Sequence, residues 1–292
     1  MKVLRARALG MCFGVRDAIQ ATADVAQPGE VTIHGELVHN ERVLVQLQER
    51  GFRMSAECER GGMPITPTVL VTAHGISQRE RGRLQATGKH LIDTTCPLVR
   101  RVHESAMKLA NEGFDVVLIG RAGHVEVQGI AEDLESCRVV ASVDEVRTWL
   151  VPKLGVICQS TTPPRLAQEI LAAIEDRNPL SEVRFVNTIC QPTADRQAAL
   201  EELCALVDAV VVVGGANSNN TRQLANLARA AGVPVWQVQS ASGLRPAWFD
   251  GCECVGLTAG TSTLDQTIDE VFDALSAIAP RKLLNASLLT TG

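Results

Sequence analysis

The sequence predicts an α/β fold of three similar lobes with small, mostly parallel sheets, arranged pseudo-threefold. Three observations predict it. Short β-branched runs alternate with amphipathic stretches throughout, the pattern of parallel sheets covered by helices. Cys12, Cys96 and Cys190 each stand between a strand-like and a helix-like run, 84 and then 94 residues apart, with 102 residues after the third. And 292 residues suit several cores of roughly 100 residues each better than one.

In order, "KVLRARALGM" (2–11) reads as a strand and "FGVRDAIQATADVA" (13–26) as a helix. "TVLVTAHG" (68–75) precedes "ISQRERGRLQATG"; "HLIDTT" (90–95) precedes "PLVRRVHESAMKLANEG"; "DVVLIGRAGH" (115–124) precedes "VEVQGIAEDLE". "LGVICQST" (154–161) leads to "PPRLAQEILAAIE", and "VRFVNTI" (183–189) to "QPTADRQAALEELCALV". "AVVVVGG" (209–215) precedes "ANSNNTRQLANLARAAG", where Leu224, Leu227, Ala228 and Ala231 have helical spacing. "CVGLTAG" (254–260) precedes "TSTLDQTIDEVFDALSAI". The expected lobes are 14–96, 97–190, and 191–280 with 1–13; the tail 281–292 carries no readable signal.

Composition excludes some classes. Aromatic residues are 3% with no tyrosine, and 28 Lys and Arg against 33 Asp and Glu give a net charge of −5. A nucleic-acid or anionic-membrane partner is therefore not expected. No apolar run reaches the ~18–20 residues of a membrane span. The N-terminus carries charges in its apolar stretch and no small-residue cleavage site, so the expected location is cytoplasmic.

The loops after the strands hold the unusual polar residues: His74, His124, Ser160–Thr162, Asn217–Asn220 and Thr261–Thr263. Ligands of parallel α/β sheets bind there, where the next helix presents free N–H groups. Each loop alone is also explained by helix capping, for which Ser, Thr and Asn are preferred.

Nine cysteines in a chain without a secretion signal argue against a disulfide framework. A thiol at a helix N-terminus is expected to have a lowered pKa. Three on a pseudo-threefold axis match a central iron–sulfur cluster better than structural zinc, which takes four ligands, often in CxxC pairs. The plain alternative is three buried structural cysteines. A [4Fe–4S] cluster with three cysteine ligands has one open iron site, a Lewis acid; four cysteines would suit a pure electron carrier. Cys252 and Cys254, one residue apart, are expected to share a strand face and be structural, and Cys204 to lie mid-helix in the core.

The segments "GMCFGVRDAI", "GELVHN", "TAHGIS", "DTTCPLV", "GHVEVQG", "NTIC…TADRQ", "VVGGANSNNT" and "GLTAGTSTLD" run in order from residue 10 to about 265. In these the chain closely resembles the 4-hydroxy-3-methylbut-2-enyl diphosphate reductase family of isoprenoid biosynthesis. The resemblance implies three lobes around an oxygen-sensitive [4Fe–4S] cluster on Cys12, Cys96 and Cys190. It implies an allylic diphosphate substrate that loses its C4 hydroxyl, with ferredoxin or flavodoxin as electron donor. It places the acid on Glu126, with His124, Ser160 and the adjacent Thr161 in the catalytic set. It assigns diphosphate binding to His39, His74, Ser218, Asn219, Asn220 and Ser262, with Thr193 facing the substrate. Glu126 alone also reads as a first-turn carboxylate favoured by the helix dipole; His34, His90 and His103 read as structural or solvated.

Three positions depart from the family pattern: Ser160 for threonine, Val125 for proline, and Asn219 for a common serine. A paralogue acting on another alcohol, a Lewis-acid enzyme of the quinolinate synthase or dehydratase kind, and a cluster-bearing sensor or carrier are the rival readings. A carrier would need neither an acid–hydroxyl pair nor diphosphate loops.

Overall fold

The structure, a computed structural model, describes residues 1–57 and 60–278. Cys58 and the expected tail 281–292 lie outside the described residues. In chain order the elements are β1 (Lys2–Arg5), α1 (Phe13–Ala23), β2 (Val31–His34), α2 (Glu41–Glu49), β3 (Arg53–Met54), β4 (Thr68–Val71), α3 (Gln78–Ala86) and β5 (His90–Asp93). There follow α4 (Pro97–Asn111), β6 (Asp115–Ile119), α5 (Val125–Ala131), β7 (Cys137–Val140), β8 (Lys153–Cys158), α6 (Pro164–Arg177) and β9 (Glu182–Val186). The last are α7 (Gln191–Cys204), β10 (Ala209–Val213), α8 (Asn219–Ala230), β11 (Val235–Val238), β12 (Cys254–Ala259) and α9 (Asp265–Ser276).

The strands form three four-stranded sheets, one per lobe, ordered β3-β2-β4-β5, β7-β6-β8-β9 and β1-β12-β10-β11. Every strand pair among the described residues is parallel. The chain divides into two compact units, 12–194 with the first two sheets, and 1–11 with 195–292 with the third.

A parallel sheet is covered on both faces, so its central strands are apolar throughout instead of alternating. In the unit of 1–11 and 195–292, Val211 and Val213 of β10 pack into one cluster with Leu257 and Val271. Val210 and Val212 pack into the opposite one with Leu200 and Leu224. In the unit of 12–194, Val117 and Ile119 of β6 join Val156 and Ile170 on one face. Val116 and Leu118 join Val102 and Leu109 on the other.

Five elements were not legible in the sequence pattern: β2, α2, β3, β7 and β11. The four strands among them have two to four residues. Their pairing comes from neighbours: β3 is two residues long and lies in register with Thr32 and Ile33. Where strands were expected to be long they stop early, β1 at Arg5 and β6 at Ile119, leaving loops to carry the polar residues. Among the described residues no helix is long and apolar enough to cross a membrane.

Candidate active site

Cys12, Cys96 and Cys190 each stand immediately before a helix, α1, α4 and α7. In each case the cysteine carbonyl closes the first turn, accepting from Arg16 at 3.0 Å, from Val99 and Arg100 at 2.9 and 3.0 Å, and from Thr193 and Ala194 at 3.0 and 3.2 Å. Pro97 takes the first helical position, where no N–H is required. Neither the Cys12 nor the Cys96 side chain caps its own helix. The first turn of α1 lies directly on Cys96: a Cβ added at Gly14 would come within 2.5 Å of the Cys96 Sγ. The Cys190 thiol lies 3.1 Å from the Thr193 hydroxyl. The Cys96 and Cys190 thiols each sense the charges of both Cys12 and Glu126, which places the four in one neighbourhood. All three cysteines are half-buried and in no disulfide.

The expected lowering of the thiol pKa is not what the structure gives. Burial pushes Cys190 up to about 11 and raises Cys96 as well. The first-turn N–H groups of Leu98 and Val99 do pull Cys96 down, but desolvation of a thiolate is the larger effect. Such thiols hold their protons until a metal displaces them.

Among the described residues no three His, Cys, Asp or Glu side chains converge as on a single metal ion. Three thiols at three separate helix termini are a donor set that an iron–sulfur cluster could take.

Beside the thiols is a buried acid. Glu126 lies in the first turn of α5, with 2% of its surface exposed. Ser160, in the turn after β8, donates its N–H to Glu126 Oε1 at 2.7 Å and its hydroxyl to Oε2 at 2.9 Å. Burial raises the Glu126 pKa, and the two Ser160 bonds oppose the rise without cancelling it. Ser160 also reaches toward the thiols, its carbonyl accepting from the Cys190 N–H at 2.9 Å. Serine in place of threonine thus leaves the hydroxyl seated on the acid. Thr161 follows it, half-buried. His124 caps α5, its Nδ1 accepting from the Glu126 N–H at 3.2 Å; an accepting Nδ1 puts the ring proton on Nε2 when the ring is neutral.

Three of the expected histidines pack together. His39 stacks on His74 with ring centroids 4.3 Å apart, and His124 stands edge-on to both at 5.5 and 5.8 Å. Burial holds the His74 pKa well below its usual value, helped by repulsion from His39, His124 and Arg60. A neutral ring here is a hydrogen-bond donor, and the buried His74 Nε2 has no partner among the described residues. His39 is oriented from behind by Glu36, whose Oε2 lies 2.7 Å from its Nδ1. Thr193 is fully buried.

In the other unit, Ser218 caps α8, accepting from the Thr221 N–H at 3.3 Å. Asn219, Asn220 and Ser262 are buried. The Asn220 side chain ties two loops together, its Oδ1 accepting from the Thr261 N–H at 3.0 Å.

The remaining cysteines and histidines fall apart from this set. Cys158 is buried in β8 with its pKa raised to about 12. Cys204 ends α7 instead of lying inside it, and Cys252 stands in the turn before β12, so it and Cys254 do not share a strand face. His34 is fully buried beside Glu80 at 3.1 Å, His103 faces Asp133 at 3.8 Å, and His90 is exposed at the start of β5. Three contributors were not foreseen: Glu36, Arg60 and Gly14. Glu36 had a readable signal, a carboxylate three residues before His39. Gly14 had only its place inside "MCFG".

A family model described as LytB protein matches residues 3–276. A 4-hydroxy-3-methylbut-2-enyl diphosphate reductase of Anaeromyxobacter sp. (strain Fw109-5) is 38% identical over 275 residues, which is 93% of this chain and 95% of that protein. One of Geobacter sp. (strain M21) is 35% identical over 289 residues, covering 97% and 100%. The solved E-1-hydroxy-2-methyl-but-2-enyl-4-diphosphate reductase of Plasmodium falciparum superposes with a TM-score of 0.88 at 25% identity, over 97% of this chain and 91% of that one.

Proposed function

The chain belongs to the LytB protein family, and on that premise we propose that it reductively removes the C4 hydroxyl of 4-hydroxy-3-methylbut-2-enyl diphosphate. Two electrons and two protons enter; water leaves with isopentenyl or dimethylallyl diphosphate. Relatives bearing this name are 34–38% identical over nearly the whole chain. The family depends on iron and sulfur. The observation that carries the reading is the buried Glu126, gripped twice by Ser160 and placed beside three helix-terminal thiols.

Cys12, Cys96 and Cys190 would hold a [4Fe–4S] cluster, which supplies electrons and a Lewis-acidic iron without a protein thiolate. Ferredoxin or flavodoxin is the proposed donor of those electrons. Glu126 delivers the proton that the departing oxygen needs, because hydroxide is a poor leaving group. A carboxyl whose pKa is raised by burial holds a proton more readily than an exposed one. Ser160 orients the carboxyl, and Thr161 lies next to it on the same turn. His124 fixes the start of α5 and so the position of Glu126. His39 and His74 present ring N–H groups to the diphosphate, and Thr193 faces the substrate. Ser218, Asn219, Asn220 and Ser262 are proposed as further diphosphate donors. Neutral donors serve here because several N–H and O–H groups can share an anion's charge without a lysine or arginine.

Anaerobic purification with iron and sulfide quantification, then assay with the diphosphate and a chemical reductant, tests the reading. Reductant-dependent formation of the two products is expected. Activity without reductant would replace it with a Lewis-acid dehydration.

A further inference from the structure

Arg60 lies outside every recognisable motif, yet it underlies the two loops that carry His39 and His74. Its side chain is 17% exposed. It reaches the second loop directly, donating to Thr72 Oγ1 at 3.1 Å and to the Gly75 carbonyl at 3.4 Å, on either side of His74. It reaches the first loop in two ways. The guanidinium lies against Gly35, where a Cβ would overlap it and where φ is +104°; glycine alone tolerates both. It also pairs with Glu57 at 2.8 Å, and Glu57 Oε1 accepts the Glu36 N–H at 2.8 Å. Glu36 in turn holds the His39 Nδ1 at 2.7 Å. One fork of donors therefore fixes the backbone on both sides of a histidine pair whose rings stack at 4.3 Å.

We propose that Arg60 is a positioning residue for the diphosphate-binding histidines, bracing the 35–39 and 72–75 loops from beneath so that the His39 and His74 rings are held in place before the ligand arrives. The proposal rests on the assignment of those rings to diphosphate binding. A planar guanidinium suits the task because its donors leave in fixed directions toward two loops at once; a lysine ammonium supplies charge without the fork. Among the described residues Arg60 bonds to none of Cys12, Cys96, Cys190 and Glu126, so it acts on binding and not on bond cleavage.

The test compares wild type with Arg60→Met and Arg60→Lys as anaerobic holoenzymes. The readouts are iron content, kcat and KM with the diphosphate substrate and a chemical reductant, and the Kd for inorganic diphosphate. The His39 and His74 ring signals are followed by NMR in the metal-free protein. For Arg60→Met, KM and Kd should rise about tenfold with kcat within threefold and iron unchanged; Arg60→Lys should fall between. Both ring signals should shift in Arg60→Met. Should that variant fail to fold, Thr72→Val, which removes one brace, should raise KM about threefold. A variant that binds diphosphate like wild type, or that loses iron and kcat together with KM unmoved, would overturn the proposal. If the rings shift but wild type itself does not bind diphosphate, the functional assignment fails and not the brace.

Discussion

Ser160 holds both oxygens of the Glu126 carboxyl, with its N–H on one at 2.7 Å and its hydroxyl on the other at 2.9 Å. A single residue in the turn after β8 thereby sets the orientation of an acid that belongs to α5. Replacing Ser160 by alanine keeps the N–H bond and removes the hydroxyl bond. Leaving a buried carboxyl oxygen without its partner costs about 1–3 kcal/mol, so kcat should fall roughly tenfold. Ser160→Thr keeps the hydroxyl and should retain most of the activity. Steady-state assays of both variants decide the matter; an alanine variant as active as wild type would remove Ser160 from the catalytic set.

Gly14 is the contact between α1 and the Cys96 thiol. A methyl group at 2.5 Å from Sγ forces the helix or the thiol to move. Gly14→Ala should therefore bind less iron while its secondary structure stays intact. Iron and sulfide analysis beside circular dichroism measures this; full iron occupancy would mean that the thiols tolerate displacement.

The three thiols should be inseparable in metal binding. Serine at Cys12, Cys96 or Cys190 is expected to remove most iron and more than 99% of turnover. Serine at Cys204 or Cys254, outside the trio, should leave iron content unchanged. Iron analysis and absorption spectra of the five anaerobic proteins test the assignment, and an iron-replete Cys12→Ser protein would break it.

Stability should depend on pH through buried histidines. His34, His74 and His103 all have folded pKa values below 6.5, in each case chiefly because of burial. The unfolded chain then takes up these protons first, so stability is full above about pH 7 and is lost as pH falls through the unfolded value of about 6.5. Each histidine contributes up to about 1.4 kcal/mol per pH unit below that point. Glu126, with a raised pKa, opposes the trend as pH falls through its folded value, because the folded state binds its proton more tightly. Urea unfolding of the metal-free protein at pH 7.5, 6.0 and 5.0 should show the decline, and His103→Gln should reduce its slope. A midpoint independent of pH over that range would contradict it.

The sequence announced the fold wherever a strand was long enough to carry a pattern. The run of one alanine and four valines in β10 could only be a strand buried on both faces. It was silent at β3, whose two residues are strand only because β2 lies beside them. The thiols were legible because three similar lobes repeat one junction. Their protonation was not, because dipole and burial act in opposite directions and only the folded structure says that burial is larger. Arg60 was illegible for a different reason: it serves His39 and His74 across 21 and 14 positions of chain through backbone groups, which leave no pattern in side-chain identity.

The central claim is that Glu126 supplies the proton for a reductive loss of hydroxide. It is tested most directly by measuring product formation by wild type and Glu126→Gln holoenzymes in one anaerobic assay, with reductant and the diphosphate substrate, at matched iron content. Wild type should form isopentenyl and dimethylallyl diphosphate only when reductant is present, and Glu126→Gln should be slower by about 100-fold or more. Equal rates for the two proteins would contradict the account.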